Sequence, residues 1–174
     1  MKVVSIENAQ TDTDNSIIYI YNADSNKLLT NIKYQDKDKL VCMYDDSICI
    51  IENEENSELI NFSDRDVDFY TIMLNNNVAL IEEKSSGLFT ADSEITFINT
   101  TSGKETMYTI EDVAKEIYSC EDVLGLNLGS ELHFINTGGW LVKRYIANQE
   151  ISNVVMSDSI AGIIYRDKIE VIDL

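Results

Sequence analysis

The 174-residue sequence predicts an all-β fold made of about five tandem repeats, each folded as a four-stranded antiparallel sheet. Two observations carry this prediction. A heptapeptide occurs twice with small changes, as EITFINT at 94–100 and as ELHFINT at 131–137. The segments between turn residues are short and rich in β-branched and aromatic residues, and none sustains the 3.6-residue apolar period of a long helix.

The heptapeptide belongs to a series of repeats of 37–39 residues. The asparagine that ends its FIN motif has counterparts at successive steps of 39, 38, 37 and 37 residues, at Asn22, Asn61, Asn99, Asn136 and Asp173. A second column follows at steps of 36, 38 and 37 residues, at Tyr34, Tyr70, Tyr108 and Tyr145. Two columns in one register indicate a tandem array. The tyrosines are therefore predicted to occupy equivalent outer-strand positions and to pack on the neighbouring strand of their own sheet.

Each repeat is predicted to contain four strands separated by turns. The third repeat reads VALIEE, SGLFTA, EITFIN and KETMYTI, and the fourth reads KEIYSC, VLGLNL, ELHFIN and LVKRYI. The links NTTSGK and NTGGW carry Asn and Ser, which bond back to the local backbone, and Gly, which accepts positive φ. Gly125 and Gly162 mark a repeated tight position on the second strand. The approximate boundaries, within a single domain, are 1–37, 38–75, 76–112, 113–149 and 150–174.

The first and last repeats are predicted to be incomplete. The last stops at its third strand, KIEVIDL, and the first has the polar stretch ENAQTDTDNS where a second strand is expected. A closed ring of five repeats and a part of a larger ring are both compatible with these ends. An incomplete sheet leaves an unpaired edge, so we expect a homo-oligomer through such edges if the ring is open.

Four strands per repeat and a period of about forty residues are typical of a β-propeller blade. The chain resembles the β-propeller superfamily over essentially its whole length, and ELHFINTGGW and NTTSGK are similar to the strand-turn signature of quinoprotein-type repeats. It departs from that pattern because Trp140 is the only tryptophan. More narrowly, the chain resembles the C-terminal part of an uncharacterised bacterial propeller family, often membrane-anchored, whose function is unknown.

The charge balance limits the class of partner. With 13 basic and 31 acidic residues the formal net charge is −18, which repels nucleic acid and attracts basic proteins or cationic ligands. The longest apolar stretches, such as AGIIY, have the length of a strand, so no membrane-spanning segment is predicted. We expect a cytoplasmic protein if Met1 is the natural start, and an extracytoplasmic one if the chain is a fragment of a membrane-anchored protein.

The three cysteines, Cys42, Cys49 and Cys120, form no zinc-binding pattern. Cys42 and Cys49 are predicted to face each other across a hairpin that turns at Asp45 and Asp46. A disulfide there is one alternative. Bridges between directly paired strands are often strained, so buried thiols are favoured.

The residues of common catalytic and metal sites are mostly missing. His133 is the single histidine, which excludes a metal site with paired histidines and favours a structural or surface role. Asp64, Asp66 and Asp68 alternate as at the start of a calcium loop, but Phe69 stands where that loop needs glycine. A solvated turn is therefore favoured, calcium is the alternative, and no other cofactor is predicted.

Acidic residues recur in the predicted turns between first and second strands. In an antiparallel meander these turns lie at the same end as the turns between third and fourth strands. The candidate partner-binding residues are Asp45, Asp46, Glu82, Glu83, Glu121, Asp122 and Asp158. Polar turns in an acidic chain explain them without a function, and an anionic face that collects a basic partner is the functional hypothesis.

The leading functional prediction is a non-enzymatic protein-interaction or scaffold module. It rests on the rigid repeat scaffold and on the lack of a nucleophile with its base in the sequence. The alternative is a ligand- or metal-binding propeller, sugar-binding or hydrolase-like, whose carboxylates line the central channel.

Overall fold

The computed structural model describes residues 2–7, 16–21, 29–36, 39–52, 55–62, 69–85 and 91–174. In these ranges the chain forms 17 strands, and every pairing between them is antiparallel. No helix in the described part of the chain has the length and apolarity to cross a membrane. Contacts group the chain into two compact units, Met1–Arg65 and Asp66–Leu174, which we call unit 1 and unit 2.

Unit 1 contains two sheets. Sheet A has the two strands β1 (Lys2–Glu7) and β2 (Ser16–Tyr21). Sheet B has four strands in chain order, β3 (Leu29–Asp36), β4 (Lys39–Tyr44), β5 (Ser47–Glu52) and β6 (Glu55–Asn61). Strands β4 and β5 are buried along nearly their whole length, as their continuous apolar runs require. Their core cluster consists of Leu40, Cys42, Tyr44, Cys49 and Ile51.

Unit 2 contains three sheets whose strands also follow chain order. Sheet C consists of β7 (Phe69–Met73), β8 (Asn77–Ser85), β9 (Ala91–Asn99) and β10 (Glu105–Ile110). Sheet D consists of β11 (Glu116–Cys120), β12 (Val123–Asn127), β13 (Glu131–Asn136) and β14 (Leu141–Ile146). Sheet E consists of β15 (Asn153–Met156), β16 (Ile160–Ile164) and β17 (Ile169–Asp173).

Sheet D is packed on both of its faces. Leu124, Leu126 and Ile135 join the cluster that it forms with sheet C, and Leu132 and Phe134 join the cluster that it forms with sheet E. Successive residues of a strand point to opposite faces, so the apolar run of each inner strand supplies both clusters. Burial of this apolar surface holds the three sheets of unit 2 together.

The predicted repeat appears as a recurring backbone hydrogen bond. Four strands end at or next to one of the repeated residues Asn61, Asn99, Asn136 and Asp173. The residue that follows each of these strands donates its N–H to a carbonyl in a turn between two preceding strands of the same sheet. The donor–acceptor pairs are Phe62–Asp46, Thr100–Asn76, Thr137–Asp122 and Leu174–Ser159, with N···O distances of 2.8–3.0 Å. The four strands therefore end beside these turns, in both units.

The turn chemistry predicted for NTTSGK and NTGGW is confirmed. The Asn99 side-chain oxygen accepts hydrogen bonds from the backbone N–H groups of Thr101 and Ser102, at 3.1 and 2.9 Å. Gly103 and Gly139 adopt positive φ, 67° and 78°. Side-chain acceptors close these turns and glycine supplies the left-handed backbone, as the sequence indicates.

The prediction of an all-β fold with four-stranded antiparallel sheets is confirmed, whereas the four strands predicted for each of about five repeats are found in only three of the described sheets. Among the described strands three sheets have four strands, one has three and one has two, so there is no closed ring of five complete four-stranded repeats. Sheet E has the three strands that the sequence predicts for the last repeat.

Two strands belong to a different sheet from the predicted one. Strand β3, placed in the first repeat, pairs with β4, and β7, placed in the second, pairs with β8. VALIEE is therefore the second strand of sheet C rather than the first. Most of SGLFTA lies outside the described residues, and its Ala91 begins β9. Hydrogen bonding to the following hairpin decides the sheet to which an outer strand belongs, and the repeat period does not reveal it.

The tyrosine column is divided between two kinds of edge. Tyr34 and Tyr70 lie in the first strands of sheets B and C, whereas Tyr108 and Tyr145 lie in the last strands of sheets C and D. The prediction of equivalent positions is therefore wrong for the column as a whole. Tyr108 and Tyr145 do share an equivalent position, but their hydroxyl groups bond to the next sheet, whereas the prediction was packing on their own sheet.

The cysteine prediction is confirmed at the hairpin of sheet B. Cys42 and Cys49 are directly paired across β4 and β5, both are buried, and neither is in a disulfide. Burial, and then the neighbouring Cys49, raises the pKa of the Cys42 thiol to about 12. The thiol form therefore dominates at neutral pH.

Candidate partner-binding surface at the turn end of unit 2

The turn between β11 and β12 presents two exposed carboxylates, Glu121 and Asp122. Asn75, in the turn between β7 and β8 of the preceding sheet, holds them in place. Its N–H donates to the Glu121 carbonyl at 3.0 Å, and its Nδ2 donates to Glu121 Oε2 at 2.9 Å and to Asp122 Oδ2 at 3.3 Å. The turns of sheets C and D therefore lie at the same end of unit 2, and the two carboxylates have fixed positions there.

Trp140 is the most exposed large apolar residue of the described chain, with 73% of its surface accessible. It ends the turn between β13 and β14, in which Asn136 Oδ1 accepts hydrogen bonds from the N–H groups of Gly138, at 3.0 Å, and Trp140, at 3.1 Å. A side chain at Gly139 would meet the Met107 carbonyl at 2.9 Å, so the turn packs closely on β10. The indole is thus presented by a compact turn.

The Trp140 turn lies next to the acidic turn. Thr137 donates its N–H to the Asp122 carbonyl at 3.0 Å, and its own carbonyl accepts from Thr106 Oγ1 at 2.7 Å. Met107, next to Thr106, and Leu141, next to Trp140, are 58% and 42% exposed. We call Met107, Trp140 and Leu141, together with Glu121 and Asp122, the Trp140 surface. It combines an exposed aromatic ring with a pair of carboxylates.

The structure places three of the predicted acidic residues in exposed turns of unit 2, namely Glu121, Asp122 and Asp158. Asp158 Oδ1 accepts hydrogen bonds from Ser157 Oγ, at 2.9 Å, and Ser159 Oγ, at 3.3 Å, and these bonds lower the pKa of its carboxyl group. Asp45 and Asp46 form the predicted turn between β4 and β5 in unit 1.

The predicted placement of Glu82 and Glu83 in a turn is wrong, because both lie inside strand β8. Glu82 is only 3% exposed and is paired across the sheet with Glu94, which forms an ion pair with Lys84 at 2.6 Å. A side chain buried to this degree does not reach a partner. The misplacement has the same origin as that of VALIEE, since β8 is the second strand of its sheet.

The weak calcium candidates, Asp64, Asp66 and Asp68, lie outside the described residues. Within the described ranges, no group of three or more His, Cys, Asp and Glu side chains is arranged to hold a metal ion.

His133 lies between sheets C and D and is 8% exposed. Its Nδ1 is hydrogen bonded to the Tyr108 hydroxyl at 3.1 Å, and its Nε2 is 3.6 Å from Glu131 Oε1. Burial lowers the pKa of the imidazole, although Glu131 opposes this, so the neutral form is favoured. Glu131 itself pairs with Arg144 at 2.6 Å, which lowers the pKa of Glu131. These contacts tie two sheets together and leave the ring little access to a substrate.

The same bridge recurs 37 residues later, between sheets D and E. Tyr145 takes the place of Tyr108, and Glu170 takes the place of His133. The Tyr145 hydroxyl donates to the Glu170 carboxylate and lies 2.6 Å from the Tyr165 hydroxyl. Glu170 also accepts from Lys168. Burial, followed by these hydrogen bonds, raises the pKa of Tyr145, so the phenol stays protonated. The repeat conserves the position of the bridge and changes its chemistry.

A groove lies at the end of sheet D opposite the Trp140 surface. It has a volume of about 580 Å³ and is lined by Lys115 and Glu116, by the turn after Asn127, and by the link 147–151. Asn127, which is nearly buried, donates to Glu116 Oε2 at 3.0 Å and accepts from the Gly129 N–H at 2.8 Å. Asn127, Glu116 and Gly129 are thus bonded to one another, which reduces the number of groups that this part of the groove can offer to a ligand.

Sequence analysis did not identify Trp140 as a site residue. The sequence did contain an indication. Trp140 directly follows two glycines in a turn between strands, and residues without side chains cannot cover an indole ring. The contact with the acidic turn left no signal in the sequence, because Thr137 bonds Asp122 through backbone atoms.

No protein-family model and no curated protein matches this chain. Among solved structures, Hsv2 of Kluyveromyces marxianus and Hsv2 of Kluyveromyces lactis each match with a TM-score of 0.49, at 12% and 10% identity. A protein of unknown function from Bacteroides caccae matches with a TM-score of 0.46 at 12% identity.

These matches cover 85%, 85% and 90% of this chain, and 49%, 46% and 62% of the respective structures. The chain thus spans about half the length of the two Hsv2 structures. Likeness at this level carries no argument about function. The assignment of a propeller-like all-β fold therefore rests on the four-stranded antiparallel sheets themselves, which are consistent with propeller blades.

Proposed function

We propose that the chain is a non-enzymatic interaction module that binds a basic protein segment at the Trp140 surface. The observation that carries this proposal is the exposed indole of Trp140, 73% accessible, in a turn that is hydrogen bonded through Thr137 to the acidic turn of Glu121 and Asp122. Tryptophan is enriched among the residues that dominate binding energy at protein interfaces. An indole ring left in water on a compact turn is an anchor of this kind.

The chemistry of the surface suits a cationic side chain, above all arginine. An arginine of the partner can lie over the indole face, and the same or a neighbouring arginine can bond to a carboxylate. Asn75 holds both carboxylates and the asparagine-closed turn holds Trp140, so little conformational entropy is lost on binding. The net charge of −18 speeds encounter with a basic partner, and the Trp140 surface supplies a short-range anchor.

The unique tryptophan provides a direct test. An oligoarginine peptide is titrated into the protein while the fluorescence of Trp140 is recorded, and we expect a saturable change in its emission. The affinity should fall as salt is raised, since charges are screened beyond about 8 Å at physiological ionic strength. An emission spectrum that stays unchanged while a labelled peptide binds by anisotropy would contradict the proposal.

The chain contains a matched control for the acidic turn. The tripeptide EDV occurs at 111–113 and again at 121–123, and both pairs of acids are exposed. The double variant Glu121→Lys, Asp122→Lys should weaken binding of the labelled peptide by about tenfold or more, which corresponds to about 1.4 kcal/mol. Glu111→Lys, Asp112→Lys makes the same change in net charge at the other end of the sheet and should have a clearly smaller effect. Equal losses would show that only net charge matters.

We also propose that sheets C and D are propeller blades of the quinoprotein type. The support is the asparagine that closes the turn after the third strand in both sheets, Asn99 and Asn136.

A ligand- or metal-binding domain is the competing function. Calcium added to the protein during thermal unfolding separates the two, because an ion that binds the native state raises the unfolding midpoint.

A further inference from the structure

One face of sheet E is apolar and exposed. Val155, Gly162 and Val171 lie directly opposite one another across β15, β16 and β17, and they share this face. Ile160 and Ile169 flank them on the same side, because residues two apart on a strand point the same way. The side chains of Val155, Ile160, Ile169 and Val171 are 59%, 43%, 65% and 67% exposed. We call these five residues the E face.

The opposite face of sheet E is covered. Val154, Ala161 and Ile163 are buried in the cluster that sheet E forms with sheet D, and Ile172 packs against it. Sheet E is therefore packed on one side only. An apolar sheet face of this kind is unusual on a monomeric protein, where apolar residues are exposed singly or in small patches.

The residues at the same repeat positions in sheet D are packed against another sheet. The residues 37 positions before those of the E face are Tyr118, Val123, Gly125, Leu132 and Phe134 of sheet D. They form the side of sheet D that sheet E covers: Leu132 and Phe134 are fully buried there, and Tyr118 and Val123 pack against the same cluster.

The glycines of the two faces show the difference directly. A side chain at Gly125 would meet Met156 Sδ of sheet E at 2.9 Å, whereas one at Gly162 would meet nothing closer than 3.9 Å. The residues at these five repeat positions are thus covered by another sheet in sheet D and are not covered in sheet E.

We propose that the E face is covered by the E face of a second copy of this chain, in a symmetric dimer. In sheet D these columns are covered by a sheet of this chain's own repeat, through the face of sheet E on which Val154, Ala161 and Ile163 lie. In a two-fold contact the E face meets the same five aliphatic or glycine residues of the second copy, and the polar Asn153 and Asp173 lie at its border. Two such faces pack as aligned sheets about 10 Å apart, with alternate side chains interdigitating.

Light scattering on the purified protein over a range of concentrations tests the proposal. We expect a dimer, and we expect Val171→Lys to raise its dissociation constant at least tenfold, because two lysines would enter an apolar contact. Ile146→Lys is the matched control: Ile146 is 65% exposed, close to the 67% of Val171, but it lies on β14 of sheet D. This variant should dimerise like the parent chain.

Three outcomes overturn the proposal. The first is a parent chain that stays monomeric at every concentration, which would leave the E face to a different partner. The second is a Val171→Lys variant that dimerises as tightly as the parent. The third is equal dissociation in both variants. Circular dichroism checks that each variant is folded, and Val155→Lys replaces Val171→Lys if the latter is not. The test is independent of the Trp140 surface, which lies outside the E face.

Discussion

Sheets D and E carry the same columns of the repeat but have different surroundings. Sheet D is packed between two sheets, so its inner strands β12 and β13 are buried on both faces. Sheet E has one packed face, and its strand β17 alternates between exposed and half-buried residues. Phe134 is fully buried, whereas its counterpart Val171 is 67% exposed. Whether an apolar residue belongs to the core is therefore decided by the neighbouring sheet and not by the residue's own column.

The largest expected effect is the difference between Phe134→Ala and Val171→Ala. Phe134 lies in the cluster between sheets D and E, and its truncation should lower the free energy of unfolding by about 4 kcal/mol through lost burial and an internal cavity. Val171→Ala removes an exposed side chain and should change that free energy by less than about 0.5 kcal/mol. Urea unfolding at a protein concentration that keeps the chain monomeric measures both. Similar losses for the two variants would mean that the E face is covered even in the monomer.

The second prediction compares the two glycines of the same column. In Gly125→Ala the new methyl group would lie 2.9 Å from Met156 Sδ and 3.4 Å from the Phe134 ring. Overpacking of a core contact costs roughly 2 kcal/mol, reduced if the flexible Met156 side chain moves away. Gly162→Ala meets only ordinary contacts at 3.9 Å and should be neutral or slightly stabilising, since alanine lowers the entropy of the unfolded chain. A Gly125→Ala variant that unfolds at the parent midpoint would show that the position is not tight.

The smallest expected difference concerns the two tyrosine bridges. Tyr145→Phe removes a hydrogen bond to the carboxylate of Glu170 and should cost about 1.5 kcal/mol, because hydrogen bonds to charged groups are the stronger ones. Tyr108→Phe removes a bond to the neutral ring of His133 and should cost about 1 kcal/mol. Thermal unfolding of both variants gives the order. The reverse order would indicate that the partial exposure of Glu170 outweighs its charge.

Much of the fold of unit 2 was predictable because its cause is local. The short strands and the asparagine and glycine turns depend on residues close together in the chain, and the structure shows them where the sequence places them. Asn99 and Asn136 each accept hydrogen bonds from backbone N–H groups of the turn that follows. The three strands of sheet E were likewise visible in the sequence, since each is a short apolar segment between turn residues.

The assignment of outer strands to sheets was not predictable, because it depends on hydrogen bonds between backbones. Strand β7 contains Tyr70, a member of the tyrosine column that was predicted to mark last strands. It is nevertheless the first strand of sheet C, because it pairs with β8. The backbone groups that make this choice are the same in every residue, so no side-chain column records it. The error placed Glu82 in a turn, when it is in fact buried in a strand.

The candidate site divides in the same way. The sequence by itself determined the acidic character of the chain and the exposed turn at Glu121 and Asp122. Only the tertiary structure decided that Trp140 lies beside that turn and that Val171 is exposed where Phe134 is buried. Local preferences act over a few residues, whereas burial and proximity depend on which sheets meet, and that is settled by the sum of many weak contacts over the whole fold.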